Sequence, residues 1–466
     1  MGAVLSDPDA GSATPRNDAR LVVAGGTVWT ANGPRICDVL VERGQIAAFG
    51  EFPRVDAARI DASGRVVLPG FIDMHVHIDD EIGPWRLADD LPSGSRAAVL
   101  AGVTTIGLFV TQHRDETLTA AVTRVLARVP GRSLCDLHLH LTPTGDTWDW
   151  DEIAILAVRG FSTFKLYTTY RQAGLYTSWL RIEGAMRRFA QLGVTLLLHC
   201  EDDDTLAAVD VTAFDLGDPF SQTLLRPEAA EIAAIGQALE LAGQMGCRLH
   251  VVHVSTAAGA EAIAAARAKG CAVTCETGPQ YLLLSNDALR GAHGHRFLCS
   301  PPLRPEATRA RLEALAAAGA IDLFATDHCP YSRADEDAPH SDVRRRPNGL
   351  PGLGALPGLA FELFGEHHGW TPGRIAERLS GNPARVLGLQ ARKGSIAVDH
   401  DADLVVASLD GPRRAVRSTL ADTHDPWADR TCHFDVRDVL VRGVPVVREG
   451  SVVESALGRG RAGAGE

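Results

Sequence analysis

PGFIDMHVH, at residues 69–77, has the composition of a buried β-strand that ends in two histidines. A Pro-Gly pair marks its start, and mostly apolar side chains follow. Side chains two apart in a strand point to the same face, so His75 and His77 can hold one metal ion together. Asp73 lies two residues before His75, and we predict that it supports an imidazole through a hydrogen bond.

Seven further β-rich runs follow this strand, and Ala-rich stretches with helical spacing separate them. Strands that alternate with helices predict parallel βα units, and eight units over about 250 residues are typical of a TIM barrel. We therefore predict an α/β fold in which residues 68–393 form a (β/α)8 TIM barrel. A doubly wound sheet is the alternative, although no GxGxxG follows the first strand. The predicted strands lie at residues 71–77, 104–110, 134–141, 161–167, 194–200, 248–254, 272–276 and 321–326.

Short β-rich runs broken by glycine flank the barrel segment on both sides. Residues 19–67 and 394–457 share this texture, and we predict that they pair in one small β-sandwich domain. Residues 1–18 lack the basic start and apolar core of a signal peptide and are predicted to be a disordered extension. Residues 458–466, GRGRAGAGE, are predicted to be a mobile tail.

Charge and composition narrow the range of partners. The chain has 58 acidic and 46 basic side chains and a net charge of −12, which argues against a nucleic acid or an anionic membrane surface. No apolar run approaches the about 20 residues that a membrane helix needs. The nine cysteines, an odd number with no CxxC pair, indicate reduced thiols in a cytoplasmic protein. A small molecule is the partner that this composition favours.

Lys165 lies in the apolar run FSTFKLY, where a charge is unexpected. Burial disfavours an ammonium, so this group must lose its proton, find an anion or change chemically. The neutral amine can add CO2 and become a carbamate, whose two oxygens can bridge two cations. The other two lysines, Lys269 and Lys393, each precede a glycine at a predicted helix or strand end and are expected to be solvated.

Further metal ligands lie at the predicted ends of later strands. His199 ends the fifth strand in LLLHCED, His253 lies in the sixth in LHVVHVST, and Asp327 follows the eighth in LFATDHCP. Four histidines, one carbamate and one carboxylate fit two divalent ions with the carbamate between them. The predicted ligands are His75, His77, Lys165, His199, His253 and Asp327.

Three other strand histidines are left out of this set. His138 and His140 repeat the HxH pattern in the third strand, and we interpret them as ordinary barrel side chains. His250 precedes His253 by three residues, an odd step that puts the two on opposite faces of a strand. Because barrel active sites lie at the carboxyl ends of strands, we assign His253 to the interior and His250 to the outer or lower face.

These motifs resemble the amidohydrolase superfamily, specifically the cyclic amidases that include D-hydantoinase and dihydropyrimidinase. The resemblance covers about residues 20–457 and rests on HVH, FKLYTTY, LHCED, VVHVST and TDHCP, with ADDLPSGSRAAVLAGVTTI, CSPPLR and GNPARVLGL. The ligands that it implies are His75, His77 and Asp327 for one ion and His199 and His253 for the other, with carboxylated Lys165 as the bridge. Zinc is the metal expected from these ligands, and Mn, Fe or Co would fit a similar cage.

The resemblance also implies the reaction, which is hydrolysis of the ring amide of a cyclic imide or ureide to an N-carbamoyl amino acid. The implied substrates are 5-substituted hydantoins or dihydropyrimidines. A hydroxide shared by two metals is the nucleophile, and Asp327 moves its proton to the leaving nitrogen. Tyr170 matches the family tyrosine that stabilises the oxyanion, and Ser300 and Asn348 match positions that hold the ring amide. A homotetramer is implied as well.

Two departures from the family pattern leave the substituent of the substrate open. The family commonly has an acidic residue after RPNGLPGL, where this chain has Gly354, and the loop DDEIGPWRL is unlike other family versions. Trp85 in that loop and Tyr167 are the large side chains expected to frame the substituent.

Three alternative functions stay open. Allantoinases resemble this chain in their metal ligands but generally lack the tyrosine that this chain has as Tyr170. Dihydroorotase-like sequences carry an arginine just after HxH to bind the substrate carboxylate, whereas Ile78, Asp79 and Asp80 follow HVH in this chain. A non-catalytic scaffold relative would have lost metal ligands, whereas this chain has all six.

Overall fold

A computed structural model describes residues 20–463 of the chain. The extension predicted at residues 1–18 lies outside the described residues, as do residues 464–466. Two large sheets, one of them a barrel, account for most of the strands.

Five strands precede the barrel in the chain, namely β1 (Leu21–Thr30), β2 (Gly33–Glu42), β3 (Gln45–Gly50), β4 (Ala58–Asp61) and β5 (Val66–Pro69). The eight barrel strands are β6 (Phe71–Val76), β9 (Val103–Thr111), β10 (Asp136–Thr142), β11 (Thr163–Tyr167), β12 (Thr195–His199), β13 (Arg248–Val251), β14 (Val273–Thr277) and β15 (Leu323–Phe324). A small hairpin of β7 (Glu81–Ile82) and β8 (Trp85–Arg86) follows the first barrel strand. After the barrel come β16 (Leu404–Ser408), β17 (Arg414–Ala415), β18 (Thr431–Cys432), β19 (Asp435–Val441), β20 (Val444–Arg448), β21 (Ser451–Val452) and β22 (Ala462–Gly463).

Helices fill most of the connections between barrel strands. The α-helices are α1 (Leu91–Leu100), α2 (Leu118–Leu126), α3 (Trp150–Val158), α4 (Trp179–Leu192), α5 (Asp203–Ala207), α6 (Ser221–Leu225), α7 (Glu228–Met245), α8 (Ala257–Ala268), α9 (Pro279–Leu283), α10 (Glu306–Ala318), α11 (Arg333–Glu336), α12 (Leu356–Ala360), α13 (Pro372–Ala376) and α14 (Asn382–Leu387). Two π-helical segments span Phe361–His367 and Glu377–Gly381. Short 3-10 turns span Arg171–Ala173, Val211–Ala213, Asn286–Arg290, Gly294–Phe297, Val343–Arg345 and Glu454–Ala456.

The eight barrel strands are parallel and follow one another in chain order from β6 to β15. A bridge between Val76 and His328 joins the end of the ring to its beginning. β6 and β10 are buried along their whole length, as expected for parallel strands covered on both faces. The predicted (β/α)8 barrel is therefore confirmed, with all eight predicted strands present.

The second sheet is built from both flanks of the barrel segment. Its strands run in the order β21-β20-β19-β16-β5-β1-β2-β3, and β4 pairs with β1. Leu68 in β5 lies opposite Val405 in the antiparallel β16, which links the two flanks. Side chains from many of these strands, including Val23, Val39 and Val406, form one buried cluster, so the sheet curls around its own core. A small β-unit made from both flanks is thus confirmed.

Lys393 is buried, and the prediction that it is solvated is wrong. Its Nζ lies 2.9 Å from Asp136 Oδ2 in β10 and 3.5 Å from Asp401 Oδ2, and it also contacts Asp403. Burial alone would lower the pKa of Lys393, but the three carboxylates outweigh burial and raise the pKa. Arg442 contributes a second cation to Asp136. This charge cluster ties the barrel to the second sheet.

The described part of the C-terminal tail is attached to the barrel. β22 pairs in parallel with β10 at Leu137 and His138, whereas β11 pairs with β10 at Leu141, nearer the carboxyl-terminal end of β10. The backbone N–H groups of Gly458 and Gly460 both donate to the carbonyl of Ser133, at 2.9 and 3.0 Å. This pairing contradicts the predicted mobility of residues 458–466 as far as Gly463.

Within residues 20–463, no helix is both long and apolar enough to cross a membrane. All nine cysteines are free thiols, as predicted, and only Cys271 is not fully buried.

Candidate metal centre

The six predicted ligands come together toward the carboxyl-terminal ends of the barrel strands, where TIM-barrel active sites lie. They are His75 in β6 and His77 just after it, Lys165 in β11, His199 at the end of β12, His253 beyond β13 and Asp327 beyond β15. The backbone is left-handed at His253, with φ of 39°, and at Asp327, with φ of 52°. Such conformations are uncommon outside glycine and cluster at functional sites.

His75, His77 and Asp327 form the first group. Asp327 Oδ1 lies 3.2 Å from Nε2 of each histidine. One ligand atom from each residue lies within 4.8 Å of the others, a spacing that one ion bonded at about 2.0–2.2 Å can span. Burial raises the pKa of Asp327, but the two histidines outweigh burial and hold it well below its usual range. The carboxylate is therefore charged and available as a ligand.

His199 and His253 form the second group. Nδ1 of His199 faces Nε2 of His253 at 2.9 Å, and the ring centroids are 4.6 Å apart. Burial lowers the pKa of both imidazoles, and the nearby charge of Lys165 lowers it further. Both rings are therefore neutral near pH 7, which is the form that binds metals.

The amine of Lys165 lies near both groups. Its Nζ is 5.3 Å from the ring centroid of Phe109, which packs against His75 and His77, and 5.1 Å from that of Tyr167, which lies beside His199. The side chain is 1% exposed, and its Nζ has no hydrogen-bond partner in the described chain. Burial lowers the pKa of Lys165 to about 8, against the effect of Glu276 and other nearby anions. An unpaired amine between two sets of metal-binding side chains fits a carbamate that would give one oxygen to each set.

Glu276, in β14, orients the first group and escaped sequence reasoning. Its Oε1 contacts Nδ1 of His75 and accepts the backbone N–H of His253 at 3.3 Å. Its Oε2 lies 3.1 Å from Nε2 of His250. A carboxylate behind a histidine fixes the ring and leaves the other nitrogen for a metal. The only sequence signal for this role is a carboxylate within an otherwise buried strand.

Two predictions about neighbouring side chains need correction. Asp73 accepts the backbone N–H groups of His75 at 3.3 Å and of Thr326 at 3.1 Å, so it joins the first and last strands and supports no imidazole. His250 is fully buried in the interior and does not lie on the outer face. The strand alternation that should separate it from His253 stops at the end of β13, before His253 is reached.

Glu201 orients His199 of the second group through a hydrogen bond. Its Oε2 lies 2.7 Å from Nε2 of His199, which turns Nδ1 toward His253. Arg226 Nε binds the other oxygen of this carboxylate at 3.0 Å, and Arg304 of the CSPPLR motif holds the carbonyl of Arg226 at 2.6 Å. Glu201 lies beyond β12, which ends at His199, so its sequence signal is a carboxylate close to a histidine at a strand end and not strand alternation.

Phe109 in β9 packs against the first group. Its ring stacks on His77 at 4.7 Å and lies 4.7 Å from His75. His138 and His140 both contact the hydroxyl of Thr163, at 2.9 and 2.8 Å, and join neither group. They are interior side chains, as predicted.

The three predicted substrate residues gather beside the second group. The ring centroids of Tyr170 and His199 are 4.9 Å apart, and the guanidinium carbon of Arg226 lies 5.1 Å from the ring centroid of Tyr170. Nδ2 of Asn348 donates to Oγ of Ser300 at 2.7 Å. Burial raises the pKa of Tyr170 to about 12, so the phenol keeps its proton and can donate it in a hydrogen bond.

The loop after β6 carries the β7–β8 hairpin. The ring of Trp85 packs edge-on against His340 at 5.5 Å. Asp79 is neutralised, because Arg132 Nη1 lies 3.0 Å from its Oδ2. Asp80 accepts the backbone N–H of Glu81 at 2.9 Å, and its charge contributes to a raised pKa of Tyr167.

Gly354 is a position of close backbone approach. Its N–H donates to the carbonyl of Ser418 at 2.8 Å. A Cβ at this position would lie 2.5 Å from the carbonyl oxygen of Arg417 and 3.0 Å from that of Ser418. An acidic side chain would therefore require this segment to move.

Comparison with known proteins agrees with the geometry. The amidohydrolase family model matches residues 66–446. D-phenylhydantoinase from Escherichia coli O9:H4 (strain HS) is 33% identical over 459 residues, which cover 95% of this chain and 97% of that protein.

Solved structures of related enzymes have the same fold as this chain. Dihydropyrimidinase from Brevibacillus agri NCHU1002 superimposes with a TM-score of 0.91 at 30% identity, over 96% of this chain and 99% of that chain. L-hydantoinase (dihydropyrimidinase) from Arthrobacter aurescens gives a TM-score of 0.86 at 28% identity, over 95% of this chain and 99% of that chain. The chain therefore belongs to the amidohydrolase family, within its group of hydantoinases and dihydropyrimidinases.

Proposed function

We propose that this cyclic amide hydrolase opens the ring amide of 5-substituted hydantoins or dihydropyrimidines and releases N-carbamoyl amino acids. The observation that carries the proposal is the buried, unpaired amine of Lys165 between two groups of metal-binding side chains. A scaffold relative has no need for such an arrangement.

Two divalent ions would complete the site. His75, His77 and Asp327 would hold the first ion, His199 and His253 the second, and carboxylated Lys165 both. Bound ions of this kind supply a hydroxide at neutral pH, because they lower the pKa of water. Zinc suits these ligands, and Mn, Fe or Co would suit them as well.

Side chains of the protein would transfer the proton and stabilise the developing negative charge. Attack on the ring carbonyl forms a C–O bond, and the C–N bond of the ring breaks as the nitrogen gains a proton. Asp327 would take the proton from the attacking oxygen and deliver it to this nitrogen. Tyr170 would donate its hydroxyl hydrogen to the oxyanion. Ser300 and Asn348 would hold the amide of the ring.

Charge near the site favours a neutral substrate. Asp79 is paired with Arg132 and contributes little, whereas the charge of Asp80 acts on Tyr167. A substrate carboxylate about 4 Å from Asp80 would be repelled by about 1 kcal/mol in bulk water and by more in a partly dry cleft. Dihydroorotate is therefore a weaker candidate. Allantoin is a second candidate, although the placement of Tyr170 beside His199 favours hydantoins.

Three further proposals rest on the family resemblance and the sequence. We propose that residues 19–67 with 394–457 form one domain and residues 68–393 the catalytic domain. We propose a homotetramer as the assembly and the cytoplasm as the location.

A substrate panel tests the function. The purified protein, supplied with Zn, Mn or Co, is assayed on 5-substituted hydantoins, dihydrouracil, allantoin and dihydroorotate, with the N-carbamoyl or ring-opened product quantified. We expect the highest kcat/KM on a hydantoin or on dihydrouracil. A kcat/KM for allantoin or dihydroorotate equal to or above every hydantoin and dihydropyrimidine would overturn the assignment.

A further inference from the structure

Tyr170 has a strained backbone in the loop that follows β11. Its φ is 69° and its ψ is 43°, which is the left-handed region that bulky residues seldom adopt. Such a conformation persists only where neighbouring contacts hold it. The Tyr170 carbonyl accepts the backbone N–H groups of Ala173 at 3.1 Å and of Leu175 at 3.2 Å. These bonds hold the chain after Tyr170, and side chains next to it supply the remaining contacts.

Asp203, the first residue of α5, binds the neighbours of Tyr170 on both sides. The hydroxyl of Thr169 donates to its Oδ1 at 3.0 Å, and Nε of Arg171 contacts its Oδ2. Asp203 follows the end of β12 by four residues, so it lies on the segment that carries His199. One carboxylate therefore ties the loop of Tyr170 to the segment whose histidine ring lies 4.9 Å from the Tyr170 ring.

The burial of these groups distinguishes the arrangement from an ordinary surface ion pair. Exposed ion pairs contribute little to stability, because water and salt screen them. The side chain of Arg171 is 52% exposed, but that of Asp203 is only 15% exposed. Thr169, which binds the other carboxylate oxygen, is 4% exposed. A carboxylate shielded to this extent is destabilised if its donors leave, so the contacts on both sides of Tyr170 are kept.

We infer that Asp203 is a positioning residue that holds Tyr170 in the conformation in which its hydroxyl reaches the oxyanion. The inference deepens the proposed function and rests on Tyr170 as the oxyanion donor. Such a donor is effective when it is already aimed at the place where charge develops. Release of Thr169 and Arg171 would let the backbone of Tyr170 leave the left-handed region, and the donor would have to be ordered again in each turnover.

A double-mutant cycle with Tyr170→Phe tests this coupling. Asp203→Ala removes both contacts, and Thr169→Val removes one of them at similar size. We expect both to lower kcat, Asp203→Ala by up to about 10²-fold, the loss of one oxyanion donor, with KM little changed. In a Tyr170→Phe background, Asp203→Ala should lower kcat little further, because the hydroxyl that it positions is gone. Asp204→Ala, at a 92% exposed position of α5, is the matched control and should keep the wild-type kcat.

Three outcomes would overturn the inference. The first is an unchanged kcat in Asp203→Ala, and the second is an equal loss of kcat in the wild-type and Tyr170→Phe backgrounds. The third is a fall in metal content below that of the wild type, since Asp203 would then act through the second group. If the Tm shows that Asp203→Ala has lost its fold, Thr169→Val takes its place in the cycle, and the same outcomes decide.

Hydrogen exchange separates this inference from the proposed function, because it needs no substrate. The backbone N–H groups of Ala173 and Leu175 are bonded to the Tyr170 carbonyl, so a loosened loop exposes them. We expect the peptide covering residues 167–178 to exchange faster in Asp203→Ala than in the wild type or Asp204→Ala. Unchanged exchange of this peptide would overturn the positioning role even in an active enzyme. A wild type that opens no cyclic amide would instead overturn the proposed function, and the exchange rates would still show whether Asp203 holds the loop.

Discussion

His199 is held between Glu201, 2.7 Å from its Nε2, and His253, whose Nε2 lies 2.9 Å from its Nδ1. The carboxylate occupies one side of the imidazole and presents the other nitrogen to the second group. Glu276 does the same for His75 in the first group. Each group is thus oriented by a buried carboxylate, Glu201 from the same segment as His199 and Glu276 from a different strand than His75, which is how proteins preorganise metal ligands.

Lys165→Arg should fold and be inactive. A guanidinium cannot form a carbamate, and it brings a permanent positive charge between two cation sites. Lys165→Ala should regain part of the activity when short carboxylic acids are added, because a carboxylate can take the place of the carbamate. Full activity of Lys165→Arg with two bound metals would exclude the bridging role.

Removing a second-group histidine should reduce metal content. We expect the metal content of His199→Ala and of His253→Ala to fall from two ions toward one ion per chain, as measured by elemental analysis after dialysis. His113→Ala, whose side chain is 64% exposed, serves as the control and should keep two ions. Two ions per chain in both second-group variants would show that the ligands are assigned wrongly.

The two supporting carboxylates should act on different ions. Glu276→Gln should weaken binding of the first ion and Glu201→Gln binding of the second, each by about 10–100-fold, the usual effect of removing a hydrogen-bonded neighbour of a ligand. Stepwise metal titration, alone and combined with His199→Ala, assigns each loss. Glu276→Gln should remain damaging in the His199→Ala background, where one ion is left. An equal effect of both variants on the same ion would contradict the pairing.

Tyr170→Phe removes one hydroxyl and should leave folding and metal content unchanged. We expect kcat to fall by on the order of 10²-fold, because the donor serves charge that develops in the transition state. Steady-state kinetics with Tyr176→Phe as the control measure this effect. A change confined to KM would place Tyr170 in substrate binding.

Lys393→Met should destabilise the protein without touching the site. It leaves Asp136, Asp401 and Asp403 close together and short of a cation. Breaking a buried ion pair in this way costs about 3–5 kcal/mol of unfolding free energy. Urea unfolding with the exposed Lys269→Met as control, expected within about 0.5 kcal/mol of wild type, measures it. Equal stability of the two variants would mean that the charge cluster contributes little.

The barrel and the gathering of the six candidate ligands at its strand ends were predictable because their signals are local. A buried strand that ends in histidine is visible in a few residues, and His75, His77 and His199 each lie at such an end. The relation between His250 and His253 was misjudged because strand alternation holds only within a strand, and β13 ends before His253.

The residues that sequence reasoning missed depend on contacts between distant segments. Lys393 and Asp136 are 257 residues apart, and a lysine before a glycine resembles a solvated helix end. Glu276 acquires its role from His75 and His250, which lie on other strands. No pattern of spacing around Glu276 predicts such partners.

The pairing of β5 with β16 has a consequence for how the chain folds. Val67 and Val406 lie opposite each other, although the whole barrel separates them in sequence. Contacts of such high sequence separation form slowly, because a long loop must close first. Completion of the barrel brings the Gly70 nitrogen to within 2.8 Å of the Asp403 carbonyl oxygen, so the two flanks are already adjacent. The second sheet should therefore form after the barrel, and its exposed strands are the segments most prone to intermolecular pairing in a refolding intermediate.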